Sequence, residues 1–287
     1  MQKSKYYTLI DANYSGINLN FKELMQYRDL IVLFVKREFV SKYKQTILGP
    51  SWAVIQPLLT TVVFTFIFGN VAGLANCGKV PTFLFYMCGN ISWQFFSGCL
   101  SGTAGTFINN RGILGKVYFP RLCMPVSVVL GQMISLAIQS ALFVVFLIIF
   151  LLNPSYEIRP NIHLLMVPVL IIHIALLALG CGIIISAVTT KYRDLQFLVS
   201  FGVSLWMYGT PVAYSIDIFG KGSYLYYLCR FNPMTPIIEM MRHALLGPDA
   251  GSADWLAYGI SAGVTLIIVL FGVVLFNKVE RTFMDTV

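Results

Sequence analysis

Six stretches of this chain run for more than twenty residues without an Asp, Glu, Lys or Arg: 45–78, 80–110, 122–156, 160–190, 195–216 and 255–277. Each holds the roughly 20 apolar residues that a membrane-spanning helix needs. The third and fourth are longer than one span but have no room for two helices and a turn. The pattern predicts an all-α polytopic membrane protein with six transmembrane helices. Ahead of them, 21–44 alternates differently. On a helical wheel Lys22, Glu23, Gln26, Asp29, Lys36, Arg37 and Lys44 fall on one arc, and Leu24, Tyr27, Ile31, Phe34, Val35 and Phe39 fall opposite. Leu30, Leu33, Arg28 and Glu38 break the pattern. This segment reads as an amphipathic helix lying in the membrane interface, with a soluble helix packed on a partner as the alternative. The chain thus divides into a lead and interface helix, 1–44, and a transmembrane domain, 45–287.

Between the fifth and sixth spans, 217–254 is too apolar for a plain loop and too broken for a span. Asn232-Pro233-Met234-Thr235-Pro236 opens a helix, with Thr235 as the expected cap and Pro236 suited to the first turn. Glu239 and Arg242 follow at i,i+3 spacing, and Gly247-Pro248 stops it. The stretch reads as a helix–turn–helix that dips into the outer leaflet without crossing; an external amphipathic cap with no gating role fits the spacing equally.

Composition supports the membrane reading: 57% of the 287 residues are hydrophobic and 11% are charged, where soluble domains carry about a quarter. Disordered, collagen-like and disulfide-scaffold classes are excluded. The formal charge of +8 is spread over loops and gives no nucleic-acid patch. With the N-terminus inside, fifteen of the 20 Lys and Arg residues fall in cytoplasmic segments and five outside. Both termini are therefore expected in the cytoplasm, and no cleaved signal peptide is expected. The six cysteines form no CxxC pair and have no His at ligand spacing; only Cys77 and Cys229 fall in external segments.

Reactive chemistry is scarce. No ionisable acid or base other than His173 lies deep in a span, so ion coupling is disfavoured, and His173 reads as a hydrogen-bonded packing residue. The segment 112–117 lacks the spacing and hydroxyl of a phosphate loop. No carboxylate pairs with a His or a second carboxylate, so an enzyme is not expected; Arg193-Asp194 reads as a cap for the fifth helix. Polar and aromatic faces do recur: Trp52, Gln56 and Thr60 in the first span, Gln132, Ser135 and Gln139 in the third, Phe197, Phe201 and Tyr208 in the fifth. Such stripes face protein or water, as helix–helix contacts or as a conduit lining.

Four ordered stretches resemble the membrane subunit of type-2 ATP-binding-cassette exporters, in the branch that exports O-antigens, capsular polysaccharides and teichoic acids. The first is Lys42-Tyr43-Lys44-Gln45-Thr46-Ile47-Leu48-Gly49-Pro50-Ser51-Trp52, through Gln56-Pro57 to Phe68-Gly69. The second runs from Gly89 and Trp93 to Asn110, Leu114, Lys116-Val117-Tyr118-Phe119-Pro120-Arg121 and Pro125. The third is Tyr192-Arg193-Asp194 with Thr210-Pro211-Val212-Ala213-Tyr214, and the fourth is Asn232-Pro233-Met234 with Glu239, Arg242 and Leu246.

The resemblance implies a homodimer of this chain with two copies of a separate ATPase subunit, in the bacterial cytoplasmic (inner) membrane. No cofactor is expected in this chain; ATP and magnesium belong to the partner. The cargo implied is an undecaprenyl-linked glycan; an exporter of small hydrophobic drugs or lipids is the alternative, with a membrane-embedded transferase or a scaffold behind it. Coupling to the ATPase falls on the 109–121 turn, with Asn110, Arg111, Leu114, Lys116, Tyr118 and Arg121, and on Arg193 and Asp194 in a shorter turn. The translocation path falls on Trp52, Gln56, Thr60, Phe197, Phe201 and Tyr208. The external gate falls on a re-entrant helix pair holding Asn232, Pro233, Glu239 and Arg242.

Overall fold

The computed structural model describes residues 21–44, 46–75, 77–114, 119–189, 194–220 and 222–284. Lys116, Tyr118 and Arg193, the side chains of Arg111 and Leu114, and the 1–20 lead lie outside the described residues. All regular structure among those described is helical. The helices are α1 (Phe21–Gln26), α2 (Arg28–Tyr43), α3 (Trp52–Phe64), α4 (Thr82–Ala104), α5 (Thr106–Asn109), α6 (Arg111–Leu114), α7 (Cys123–Leu151), α8 (Val167–Thr189), α9 (Leu195–Tyr208), α10 (Tyr224–Phe231), α11 (Met234–Leu246) and α12 (Trp255–Met284). A 3-10 turn at Gly49–Ser51 leads into α3, which runs on as a π-helical stretch, Thr65–Val71.

α4 is the axle. α3, α7, α8, α9 and α11 all pack on it, α12 packs on α8, and α2 on α7. Small residues along α4 permit this: Gly102 faces Val128 of α7, and Thr103 faces Gly182 of α8. Without a solvent-driven hydrophobic term between helices in lipid, close backbone approach is what holds such a bundle. Polarity is reversed relative to a soluble fold. Thr61, Asn90, Gln139, His173 and Arg242 are buried, while Val62, Phe66, Val145, Ile149, Leu266 and Phe271 point outward.

Four helical stretches among the described residues are long and apolar enough to cross a membrane: Gly49–Val71, Cys123–Leu151, Ile162–Thr189 and Trp255–Phe276. The other two expected spans differ in kind. α4 has the length, 23 residues, but Asn90, Ser92, Gln94, Ser97 and Ser101 dilute its apolarity, which its central position tolerates. α9 has 14 residues, about 21 Å at 1.5 Å per residue, against roughly 30 Å of hydrocarbon.

Several sequence expectations are corrected, while the Gly247 stop of α11 and the packing role of His173 hold. The 21–44 segment is two helices, broken at Tyr27 (φ −93°, ψ 19°). Its apolar face is also broader than the wheel suggests: Leu30 joins Ile31 and Phe34 against Phe119, Cys123 and Met124, while Val32 and Leu33 are exposed on the other side. Asp194 precedes α9 without a side-chain cap bond. Thr235 does not cap α11: Pro233 stands at the cap position without a side-chain bond, the Met234 amide donates to Asn232 Oδ1 at 3.0 Å, and the Thr235 hydroxyl is buried without a partner among the described residues. Gly247 ends α11 in a left-handed conformation (φ 112°). Cys77 and Cys229 are buried free thiols. His173 bonds Thr265 of α12 at 2.9 Å, a packing contact between α8 and α12.

Candidate functional site

At one end of the bundle the α10–α11 pair is sewn to its surroundings by two side chains. Arg242 is completely buried. Its Nη1 donates to the Pro211 carbonyl at 2.7 Å, Nη2 to Val212 at 3.0 Å and Nε to Phe85 at 3.3 Å. The guanidinium lies over the Phe85 ring, 3.7 Å from its centroid, and 3.6 Å from Glu239 Oε1. Gly89 lies against it: a Cβ there would stand 2.6 Å from Arg242 Nη2. Burial pushes the Glu239 carboxyl up, and Arg242 pulls it partly back. The other Glu239 oxygen accepts from the Ser252 amide at 3.2 Å.

Asn232 works on the same turn. Its Nδ2 donates to Gly209 O at 3.0 Å and Thr210 Oγ1 at 2.8 Å, and its Oδ1 accepts from Trp206 Nε1 and the Met234 amide. The Pro233 carbonyl accepts from Ser261 of α12 at 2.6 Å. Where α9 stops short, the Gly209, Pro211 and Val212 carbonyls thus accept from side chains, while the Gly209, Thr210 and Val212 amides bond back to the Leu205, Met207 and Thr210 carbonyls, so that irregular backbone at membrane depth is satisfied. An Asn232→Ala variant loses four hydrogen bonds and is expected to destabilise by about 2 kcal/mol, read as a lowered thermal unfolding midpoint in detergent.

At the opposite end a polar cavity of about 330 Å³ opens between α2, α3, α4 and α7, lined by Lys42, Trp52, Ala53, Gln56, Gln94, Ser97, Gly98, Ser101, Gln132, Ser135 and Gln139. It brings Trp52 and Gln56 together with the polar stripe of α7. Thr60 instead bonds back to its own helix at Gln56 O, 2.9 Å. Phe197, Phe201 and Tyr208 are exposed on α9 and do not line this cavity. Sequence reasoning missed α4's share, Gln94, Ser97 and Ser101. The signal was present, since these stand at i, i+3 and i+7, the same spacing as Gln132, Ser135 and Gln139.

Of the candidate coupling residues, Asn110 follows α5 and accepts from Arg37 of α2 while its Nδ2 bonds Thr106 O at 3.0 Å. This ties the turn between α4 and α7 to α2, where Phe34 also packs on Phe119 with ring centroids 5.6 Å apart. Arg121 is buried at the start of α7, not displayed on the surface, and Asp194 is exposed.

Residues 29–246 match the ABC-2 type transporter family along three quarters of the chain. The chain belongs to that family. As an ABC-2 transporter subunit it is a multi-pass membrane protein, and its family works with an ATPase partner. It is similar to an O-antigen export system permease protein, RfbA, of Myxococcus xanthus, with 30% identity over 76% of this chain and 80% of that one. A Klebsiella pneumoniae protein of the same name is 27% identical over 90% of this chain and 94% of its own. The polysialic acid transport protein KpsM of Escherichia coli is 20% identical over 87% of this chain and 93% of its own. The ABC-2 match covers the Asn110 turn, the cavity and the Arg242 clamp alike.

Proposed function

We propose that this chain is the permease subunit of an ABC exporter that moves a lipid-linked polysaccharide across the cytoplasmic membrane. The observation that carries the reading is that ABC-2 relatives aligning along most of their own length are named for O-antigen export or polysialic acid transport. The polar, amide-rich cavity favours a glycan over a small hydrophobic drug or lipid as cargo.

In this reading two copies of the chain join two copies of an ATPase subunit, and ATP and magnesium act there. Six spans, α3, α4, α7, α8, α9 and α12, cross the bilayer with both termini in the cytoplasm. α2 lies at the inner interface, its Val32 and Leu33 turned toward lipid. α10 and α11 form the re-entrant pair that closes the external mouth. α9, with Val203 its only buried residue among those described and with Phe197, Phe201 and Tyr208 exposed, joins α3 in facing the second subunit across the path of an undecaprenyl-linked glycan. ATPase closure presses on the turn holding Asn110, Arg111, Leu114, Lys116 and Tyr118, and on Arg193 and Asp194. The Arg37–Asn110 contact passes that displacement to α2, and α4 and α7, which flank the turn, pass it to the bundle.

The test is purification of the tagged chain from detergent-solubilised membranes, together with deletion of its gene. Co-purification of an ATPase in equal amount, with surface glycan lost on deletion, is the expected result. A chain that comes down alone and whose deletion leaves surface glycan intact would overturn the proposal.

A further inference from the structure

The cavity between α2, α3, α4 and α7 contains more hydrogen-bonding capacity than the protein uses. Gln56, Gln94, Gln132 and Gln139 each carry a carboxamide with two donors and an acceptor oxygen. Among the described residues their carboxamides make a single hydrogen bond to protein, Gln139 Nε2 to Gln94 Oε1 at 3.4 Å. Polar groups at membrane depth are ordinarily paired; Gln139 is buried, Gln94 and Gln132 are half-buried and Gln56 is exposed at the mouth, so their spare donors and acceptors are open to an occupant of the cavity. The site is also built rather than incidental. Gly98 leaves room for the Gln132 carboxamide, which would lie 3.0 Å from a Cβ there, and Gly131 does the same for Glu38 at 3.4 Å. From Gln132 to Gln139 the wall runs about 10 Å along α7.

Resting on the export reading, we infer that this cavity is a binding subsite for one neutral sugar ring of the cargo, within a single subunit and at the α2 end of the bundle. The charges decide between the sugar and the phosphate parts of such a cargo. Lys42 is the one cation among the described residues that line the wall, and its charge is shared with Glu38 one turn away on the same helix: burial pushes the Glu38 carboxyl up, and Lys42 and then Arg37 pull it back. Among the described residues no arginine fork or amide nest of the kind that holds phosphate lines the cavity. Carboxamides and hydroxyls match the alternating donors and acceptors of vicinal diols. Trp52, 42% exposed at the rim, supplies the flat apolar face that the C–H side of a pyranose requires. A volume of about 330 Å³ sits at the small end of ligand pockets, roughly 300–1,000 Å³, and suits one ring with its waters.

The experiment titrates the full chain, purified with its accompanying subunit, with methyl pyranosides (a hexose, a 6-deoxyhexose and an N-acetylhexosamine) and separately with inorganic pyrophosphate, reading tryptophan fluorescence. A saturable change with at least one pyranoside is expected, together with no change with pyrophosphate. Trp52→Phe should remove the signal, and Gln132→Leu should raise the half-maximal concentration about tenfold by stranding a sugar hydroxyl. Ser101→Tyr, at the exposed rim, fills the cavity without entering packed interior, and should abolish the response at an unchanged unfolding midpoint. A pyrophosphate response without a pyranoside response overturns the choice of a neutral ring; no response to either overturns the subsite. Wild-type export with no sugar response defeats this inference alone, whereas a sugar response in a chain whose deletion leaves surface glycan intact defeats the export reading alone.

Discussion

Replacing Arg242 with leucine is expected to lower the stability of the folded chain by about 3–5 kcal/mol, the usual cost of removing one partner from a buried charged pair. The geometry explains the size. Three backbone carbonyls, of Phe85, Pro211 and Val212, lose their donor, and the Glu239 carboxyl keeps its burial without its cation. Arg242 is completely buried and Glu239 nearly so, so solvent does not reach in to replace the guanidinium. Arg242→Lys should fall between, because one ammonium cannot serve three carbonyls set out for a planar fork. Glu239→Gln should cost less than Arg242→Leu, because the guanidinium keeps its three carbonyl acceptors and glutamine keeps an acceptor for the Ser252 amide. Unfolding midpoints of the three variants in one detergent check the order. A leucine variant as stable as wild type would show that the clamp is not what holds α11 to α4 and the 209–212 turn.

The second large effect is expected at Gly182. A Cβ on this residue would stand 2.6 Å from Thr103 Cβ and 3.1 Å from the Leu100 carbonyl oxygen, so α8 and α4 touch backbone to backbone there. Valine at 182 cannot be absorbed by rotating a flexible side chain; the helices must separate along the most extensive contact of the bundle. A loss of about 3 kcal/mol follows from overpacking of this kind. Gly263 on α12 is the control. Nothing lies within 4 Å of a Cβ there, and Gly263→Ala should be neutral or slightly stabilising, since alanine is the better helix former by up to about 1 kcal/mol. The comparison is again of unfolding midpoints, and equal shifts in both variants would sink the argument from close approach.

The long spans were legible because absence of charge over twenty residues is a one-dimensional signal that lipid imposes directly. The α10–α11 pair was legible for a similar reason: Asn232-Pro233 and Gly247-Pro248 are local punctuation. What was not legible depends on partners distant in sequence. Arg242 reads as part of an external gate; the clamp it forms as well could not be read from spacing, because its acceptors lie 30, 31 and 157 positions away. The break at Tyr27 involves neither glycine nor proline. Thr235 could not serve as a cap because α11 starts at Met234, two residues ahead of the expected Pro236, and the sequence offers a proline at both starts. The α7 stripe was visible on a wheel, but its meaning required knowing that α4 carries a matching stripe and stands beside it. Arg121 appears in sequence as one more loop cation; only packing shows that it is buried.

The π-helical stretch after α3 has a geometric consequence of its own. Ala53, Pro57 and Thr61, the buried residues of α3, recur every four positions, and at about 100° per residue each step overshoots a full turn by about 40°. An ordinary helix would have rotated that line about 120° away from its starting direction by Thr65. The wider turns of Thr65–Val71 advance each residue through a smaller angle and turn the line part of the way back, and Gly69 lies against Thr82 and Tyr86 at the head of α4. Both segments pack on α4 although they differ in pitch. A torque applied near Trp52 meets a change of winding before it reaches the far end, and the helix holds its own means of taking up twist without sliding along α4.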